Sequence, residues 1–273
     1  MAKPLRLHLG AMLFFLYAPI AMLMLLSLNK AGLPTVWTGV TFDWYLELAR
    51  RPDILRAAGN SLIVAAISTV IATGLGTLLA LGVEQRRSSP VTDTLLFAPM
   101  IIPDVVLAIA LLSFFTILRM TLGLHSIILA HVVFNIAFVC AVVRARLRNF
   151  DWSLLEASAD LGAGSWTTFR KITLPLIASA VLAGALLAFT LSIDEFIIAY
   201  FTAGAGQGST TLPMKIYAMI RFGITPEINA MATIVMGVSF ALVLLSQRLD
   251  RGVLAGRAPQ RIITDPTVKP REA

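Results

Sequence analysis

Three acidic residues lie inside long apolar stretches of the sequence: Asp104, Asp194 and Glu195. A charge within a hydrophobic span is costly, so it normally faces the interior of a bundle or a water-filled path. Carboxylates on such a path attract ammonium groups, and the ring of Tyr200 offers a face for a cation, although aromatics at this spacing usually only pack. The acids therefore predict a route for a cation, with a hydrogen-bonded structural carboxyl as the alternative for each.

The residues around the acids indicate how each is presented. Pro99 and Pro103 precede Asp104 at a spacing of four, which predicts a local break that frees backbone carbonyl groups. Asp194 and Glu195 are neighbours, and neighbouring side chains on a helix point about 100° apart. We therefore expect that these two acids do not both face one path, and that one pairs with a neighbouring helix.

A short polar segment between two apolar stretches carries a second set of residues. Ser153 and Glu156 match a capping box, and Gly162 is suited to end the helix in a left-handed conformation. A second short helix is predicted from Ser165, and Pro175 is expected to break the chain before the next span. The pattern predicts two short helices at a membrane surface, where a soluble partner can bind them.

The composition places the chain in a membrane. Of the 273 residues, 58% are hydrophobic and only 14% are charged, and the mean hydropathy is +0.84. This leaves too little polar surface to cover a water-soluble globule. No basic cluster is interleaved with aromatics, so no nucleic-acid partner is predicted despite the net charge of +7.

Six stretches are long and apolar enough to cross about 30 Å of hydrocarbon as helices. They are residues 9–28, 61–83, 94–118, 124–143, 177–201 and 228–247. On the second stretch, Ala72, Gly76 and Ala80 form a stripe of small residues that predicts close helix packing. We expect an all-α membrane protein with six transmembrane helices and a cytoplasmic coupling-helix hairpin.

Basic residues predict the orientation. With the amino terminus inside, fifteen of the 22 basic residues fall on the cytoplasmic side and seven on the other. Both termini and the segment 150–175 are therefore expected in the cytoplasm. We expect a six-helix transmembrane domain over residues 1–250, with the segment 150–175 as its cytoplasmic loop, and a cytoplasmic tail over 251–273.

The segment resembles a motif of the membrane subunits of binding-protein-dependent ABC importers of the type I fold, E-A-A, then Gly, then I-x-L-P. The matching residues are Glu156, Ala157, Gly162, Ile172, Leu174 and Pro175. Ser158 departs from the motif by one small-for-small change. The resemblance implies that the short helix docks in a cleft of a cytoplasmic ATPase, with coupling residues Glu156, Ala157, Asp160, Gly162 and Pro175.

Five further stretches resemble the permeases of polyamine importers, the putrescine and spermidine systems. They are residues 35–39, 98–104, 187–196, 211–217 and 225–230. The resemblance implies a non-catalytic inner-membrane permease subunit, with ATP and Mg bound by two partner ATPase subunits and no cofactor in this chain. It also implies a second, related permease and a periplasmic substrate-binding protein, all within membrane lipid.

Two alternatives remain open. The same kind of importer could carry another amine, an amino-acid derivative or an oxyanion, although the acids argue against an anion. A proton-driven secondary transporter using Asp104 and Asp194 is the other. No metal site is predicted, because His125 and His131 lie on different faces of a helix and Cys140 is the single cysteine. The segment 204–210 lacks the lysine of a phosphate-binding loop.

Overall fold

The computed structural model of the protein describes residues 2–32, 36–85, 89–223 and 225–255. Within these ranges the regular structure is helical, apart from an isolated bridge between Asn29 and Val40. The helices are α1 (Ala2–Leu26), α2 (Asp43–Arg50), α3 (Pro52–Gln85), α4 (Pro90–Ile101), α5 (Asp104–Ile117), α6 (Leu124–Leu147), α7 (Ser153–Asp160), α8 (Ser165–Thr168), α9 (Leu174–Asp194), α10 (Ile197–Thr202), α11 (Leu212–Ile220) and α12 (Pro226–Ala255). The predicted tail lies outside the described residues from position 256 onward.

Four helical segments are long and apolar enough to cross a bilayer, and each coincides with a predicted span. They are Leu5–Leu26, Pro52–Gln85, Leu124–Leu147 and Ser165–Asp194. The third predicted span corresponds to α4 and α5, which meet at an angle of 103°. The sixth lies on α12, whose side chains from residue 242 onward are outside the described part of the chain. The described residues thus form an all-helical membrane protein with four or five candidate spans.

The bend between α4 and α5 lies at Pro103, as the proline spacing predicts. Proline has no N–H to donate and disfavours helical backbone at the residue before it. Ile102 is accordingly extended, with ψ 134°, and α5 begins directly after Pro103. Phe115 of α5 then packs in one buried cluster with residues of α6 and α10. The bend therefore brings the first turn of α5 toward the end of α9.

Helix α6 packs against both α3 and α9, which present small residues at intervals of four. These buried residues are Ser68, Ala72, Gly76 and Ala80 on α3, and Gly184, Ala188 and Ser192 on α9. A Cβ atom on Gly76 would lie 2.8 Å from Val139 Cβ, and one on Gly184 would lie 3.4 Å from Val139 Cγ1. The close packing predicted for the stripe on α3 is confirmed, because small side chains let the helix backbones approach.

Arg144 of α6 is buried and connects three helices near the end of α6 that leads into α7. Its guanidinium donates to Glu84 Oε2 on α3 at 3.0 Å and to Asp93 Oδ1 on α4 at 2.5 Å. Both carboxylates offset the cost of burying the cation. These ion pairs fix the positions of α3 and α4 on α6.

Charged residues join the elements at the opposite end of α3. Arg51 donates to Asp53 at 2.8 Å and to Glu227 of α12 at 3.3 Å, and Lys215 of α11 donates to Asp53 at 2.8 Å. The hydrogen bond to Asp53 raises the pKa of the Arg51 guanidinium. Because these groups are partly exposed, each pair contributes little stability by itself, and the cluster mainly fixes the register of α11 and α12 against α3.

The packing at Gly76 predicts a difference between two glycines of α3. Gly76→Ala should lower the stability of the purified protein by about 1–3 kcal/mol, because the added methyl overlaps Val139. Gly74→Ala is the matched control, since a Cβ there meets nothing within 4 Å, and it should be neutral or slightly stabilising. Thermal unfolding in detergent measures both. Equal midpoints for the two variants would contradict the packing described above.

Candidate functional site

The three intramembrane acids lie around one open cleft. Its volume is about 410 Å³, and it is lined by Asp104, Phe134, Thr190, Leu191, Asp194, Glu195, Phe196 and Ile197. The cleft forms where the first turn of α5 meets the break between α9 and α10. The lining contains three acids and no basic residue, so its electrostatic potential favours a cation.

Asp194 and Glu195 both border the cleft, but Asp194 is exposed in it whereas only 7% of the Glu195 side chain is exposed. The expectation that they do not both face one path assumed a continuous helix through both residues. That assumption is wrong, because α9 ends at Asp194 and Glu195 is extended, with φ −71° and ψ 120°. The expectation that one acid pairs with a neighbouring helix is confirmed, because Glu195 Oε2 lies 3.6 Å from His131 Nε2 on α6.

Asp104 and Asp194 are the acids that the cleft exposes. Both side chains are exposed in the single chain, and neither makes a hydrogen bond or an ion pair with the described residues. Asp104 lies in the first turn of α5, where the helix dipole favours a negative charge. Two carboxylates that have no ion pair with any described residue are suited to contact an ammonium group that enters the cleft.

Glu195 has a different environment, with only 7% of its side chain exposed. Its Oε1 accepts a hydrogen bond from the Ile198 N–H and its Oε2 from the Ala199 N–H, each at 2.9 Å. These are backbone donors of the first turn of α10, which otherwise lack partners within the helix. Glu195 thus caps α10 and stabilises the helix break beside Asp194.

Sequence reasoning considered His131 only as a metal ligand and missed its position behind the cleft. The imidazole is 1% exposed. Its Nδ1 lies 2.6 Å from Ser192 Oγ on α9, and Ser192 Oγ lies 3.1 Å from Ser68 Oγ on α3. The signal was available, since an ionisable residue within a span is a candidate functional residue whether it is an acid or a histidine.

Tyr200 lies beside the cleft and does not line it. It is an exposed residue of α10, and its ring centroid is 5.3 Å from that of Phe196, a lining residue. Tyr217 of α11 lies 4.7 Å from Phe196 and 6.1 Å from Tyr200. The three rings form an aromatic cluster next to the acids, and Tyr217 joins it through a contact that the sequence did not indicate.

The second candidate site is the exposed segment formed by α7 and α8. Gly162 has a positive φ of 77°, the left-handed conformation predicted for it. Glu156, Ala157 and Asp160 are all exposed, as are the large side chains Leu161 at 88% and Trp166 at 71%. Exposed apolar side chains beside polar ones are typical of a surface that binds another protein.

The beginning of α7 differs from the predicted capping box. Asp151 Oδ1 accepts hydrogen bonds from the Ser153 N–H at 3.1 Å and from the Ser153 hydroxyl at 2.7 Å. The capping interaction expected between Ser153 and Glu156 is therefore wrong, and the Glu156 carboxylate has no partner among the described residues. The Glu156 carboxylate is therefore not used in capping and can contact another protein.

Ser158, the departure from the motif, is buried between the two short helices. Its Oγ lies 2.8 Å from Thr168 Oγ1 on α8. An alanine at this position would lack that hydrogen bond. The substitution is thus accommodated by a polar contact that joins α7 to α8.

The expected break at Pro175 is also wrong. The helical backbone continues from Ser165 through Asp194, and a π-helical turn at Phe169–Thr173 precedes α9. In this turn the Leu174 N–H donates to the Phe169 carbonyl, five residues earlier. A wider turn accommodates a proline because the ring no longer meets the carbonyl of a regular α turn. α8 and α9 are therefore mechanically continuous.

Comparison with known proteins identifies the chain. The family described as "Binding-protein-dependent transport system inner membrane component" matches residues 72–254, which include the cleft and the α7–α8 segment. The chain belongs to this family. It is an inner-membrane permease component and not a subunit that hydrolyses ATP.

Relatives of this permease cover nearly its whole length. The spermidine/putrescine transport system permease protein PotC of Escherichia coli (strain K12) is 40% identical over 244 residues, 89% of this chain and 92% of PotC. The putrescine transport system permease protein PotI of the same organism is 42% identical over 232 residues, 82% of each chain. A crystal structure of a bacterial ABC transporter involved in alginate import has a TM-score of 0.72 at 18% identity, covering 91% of this chain and 94% of that one, which shows the fold.

Proposed function

We propose that this permease moves polyamines of the putrescine and spermidine class into the cytoplasm as part of an ATP-driven, binding-protein-dependent importer. The observation that carries the proposal is the pair of exposed carboxylates, Asp104 and Asp194, in one cleft. Among the described residues neither carboxylate has an ion-pair partner and no basic residue lines the cleft. The names of the relatives PotC and PotI support the same substrate class. The acids disfavour an oxyanion, and the family of the chain disfavours a proton-driven transporter.

The cleft provides two kinds of contact for an alkylammonium substrate. Asp104 and Asp194 attract the charged ends of the substrate. The attraction between a carboxylate and an ammonium group is stronger where the surroundings are apolar. Phe134, Leu191 and Ile197 offer apolar surface to methylene groups, while Phe196 presents a ring face. Glu195 is occupied by α10, so we assign it a supporting part and give direct contact to the two aspartates.

The topology proposed for the permease has six spans, with α12 as the last and both termini in the cytoplasm. The count of basic residues supports this orientation. It places the α7–α8 segment in the cytoplasm and the ion pairs around Arg51 on the outer side.

We assign coupling to the α7–α8 segment and the beginning of α9. In this proposal an ATPase subunit binds the exposed side chains around Glu156, Ala157, Asp160 and Gly162, and its closure moves α8. Movement passes directly to α9 because the π turn keeps the helix continuous through Pro175. α9 ends at Asp194, so one helix links the ATPase surface to the cleft. The other proposed partners are a second permease, a second ATPase subunit, a periplasmic binding protein and the surrounding lipid.

Cysteine labelling tests the proposed orientation. In a Cys140→Ala background, Ser165→Cys should react with a membrane-impermeant reagent only when the cytoplasmic face is open. Ala205→Cys should react in intact cells, and both positions are exposed. Labelling with the opposite sidedness would overturn the orientation and the assignment of α7 and α8 to coupling.

Valine substitution at two nearby glycines tests the coupling segment. Gly162→Val should uncouple ATP hydrolysis from uptake in a folded complex, because the left-handed conformation costs an L-residue about 1–2 kcal/mol. Gly164→Val is the matched control, since Gly164 has φ −70° and a Cβ there meets nothing within 4 Å. Molecules of substrate imported per ATP hydrolysed should fall for Gly162→Val alone. An unchanged ratio for that variant would exclude a need for the left-handed turn.

Neutralising Asp194 tests the cation route. Asp194→Asn should slow putrescine and spermidine uptake by about tenfold or more, because a charge-assisted contact contributes roughly 1.5–3 kcal/mol. The abundance of the complex should stay normal, since the carboxylate has no partner among the described residues to leave unpaired. Asp43→Asn, at the exposed start of α2, is the control and should transport normally. Uptake and abundance of the complex are measured together. Normal uptake by Asp194→Asn would show that Asp194 is not part of the cation route. A low abundance of the complex would indicate that the Asp194 carboxylate stabilises the structure.

A further inference from the structure

We infer that His131 is a positioning residue for import: it holds Glu195, and through Glu195 the break between α9 and α10, in the arrangement that exposes Asp194 to the cleft. His131 lies behind the cleft wall and does not line it. The inference deepens the proposed function, and one of its two measurements below does not depend on the identity of the substrate.

The position of His131 connects it to three other helices. It lies on α6, its Nδ1 contacts Ser192 on α9, and Ser192 contacts Ser68 on α3. Its Nε2 faces Glu195, between α9 and α10. Ser68, His131 and Ser192 are each at most 3% exposed, so water does not replace these contacts at low cost. The imidazole therefore joins the helix bundle to the cap of α10.

The hydrogen-bond partners determine where the imidazole carries its proton. Glu195 already accepts from two backbone N–H groups, so it acts as a carboxylate and is stabilised by a further donor. A proton on Nε2 supplies that donor and leaves Nδ1 to accept from the Ser192 hydroxyl. A proton on Nδ1 alone would place the Nε2 lone pair against the carboxylate. We assign the Nε2–H tautomer, which points a donor toward Glu195 across 3.6 Å and lets Nδ1 accept from the Ser192 hydroxyl.

The 3.6 Å separation between Nε2 and Glu195 Oε2 is longer than a hydrogen bond, so the contact is electrostatic in this conformation. Nε2 has no hydrogen-bond partner within the described residues. A small movement of α10 toward α6 would close the gap. The contact between His131 and Glu195 can thus favour the break between α9 and α10 and still allow α10 to move.

Loss of the donor at Nε2 has a specific structural consequence. Glu195 would keep a buried charge beside α6 without a polar side chain to face, which favours its rotation out of the cap. The N–H groups of Ile198 and Ala199 would then lack their acceptor, and they regain one if α9 continues as a helix through Glu195 and Phe196. A continuous helix would redirect Glu195, Phe196 and Ile197, which line the cleft beside Asp194, because only the extended backbone at Glu195 separates α9 from α10. The access of water and reagents to residue 194 would then change.

Two isosteric substitutions separate the two nitrogens of the ring. The amide nitrogen of glutamine reaches the position of Nε2, so His131→Gln keeps a donor for Glu195 and loses the Ser192 contact. The amide of asparagine reaches only the position of Nδ1, so His131→Asn keeps the Ser192 contact and loses the donor. His125→Gln and His125→Asn are the controls, since His125 is an exposed residue of the same helix whose Nε2 contacts the Thr121 carbonyl.

The first measurement is the reactivity of a cysteine at position 194 toward a water-soluble, positively charged thiol reagent, in purified complex that carries Cys140→Ala. We expect His131→Asn to slow this reaction by about tenfold, from the loss of one contact to a charged group, and His131→Gln to change it by less than about twofold. The second measurement is maximal putrescine uptake with Asp194 intact, where the same order of variants is expected. Equal effects of the two substitutions on the reactivity, whether both large or both small, would overturn the inference.

A second variant covers the case in which the histidine variants assemble poorly. Glu195→Gln removes the charge that His131 faces and keeps the side chain's size. With an uncharged, water-soluble thiol reagent, on which the lost charge exerts no direct attraction, it should slow the reaction of the cysteine at 194 as His131→Asn does. Combining Glu195→Gln with His131→Asn should add nothing further if both act on one contact. Additive effects would overturn the inference. A wild-type complex that does not import putrescine would contradict the proposed function, and the cysteine reactivity would still decide the part played by His131.

Discussion

The cleft depends on one constraint, that backbone N–H groups inside a membrane protein need acceptors. A helix that stops in the middle of a span leaves the donors of the next helix without partners, and in an apolar surrounding each costs free energy. Glu195 supplies two acceptors to the first turn of α10. The chain can therefore leave α9 at Asp194 and begin α10 at Ile197, and the cleft forms at that interruption.

Close helix packing holds this interruption in place. The small residues of α3 and α9 bring α6 near to both, and a side chain at Gly76 or Gly184 would meet Val139. The same approach places Ser192 within contact distance of both His131 and Ser68. The buried hydroxyl groups of Ser68 and Ser192 and the Nδ1 of His131 thus have polar partners beside the end of α9.

A continuous stretch of backbone joins the α7–α8 segment to the acidic cleft. The π turn at Phe169–Thr173 lets α8 continue into α9 despite Pro175, and α9 runs from there to Asp194. In the proposed coupling, α8 and α9 form one continuous helical segment between the exposed surface and the cleft. The opposite end of the molecule is tied by ion pairs around Arg51, which connect α11 and α12 to α3.

Sequence alone determined the features that depend on composition and local backbone chemistry: the membrane class, five of the apolar segments, the break at Pro103, the left-handed Gly162 and the identity of the three acids. These follow from hydropathy, from the missing N–H of proline and from the tolerance of glycine for positive φ. The tertiary structure decided which acids are exposed and which one is buried, because burial depends on contacts between distant residues, such as that of Glu195 with His131, more than sixty residues earlier in the chain. It also decided that the helix continues through Pro175 by way of a π turn, and that Asp194 and Glu195 border one cleft. Both features require a backbone path that neighbouring helices stabilise and that no local sequence pattern specifies.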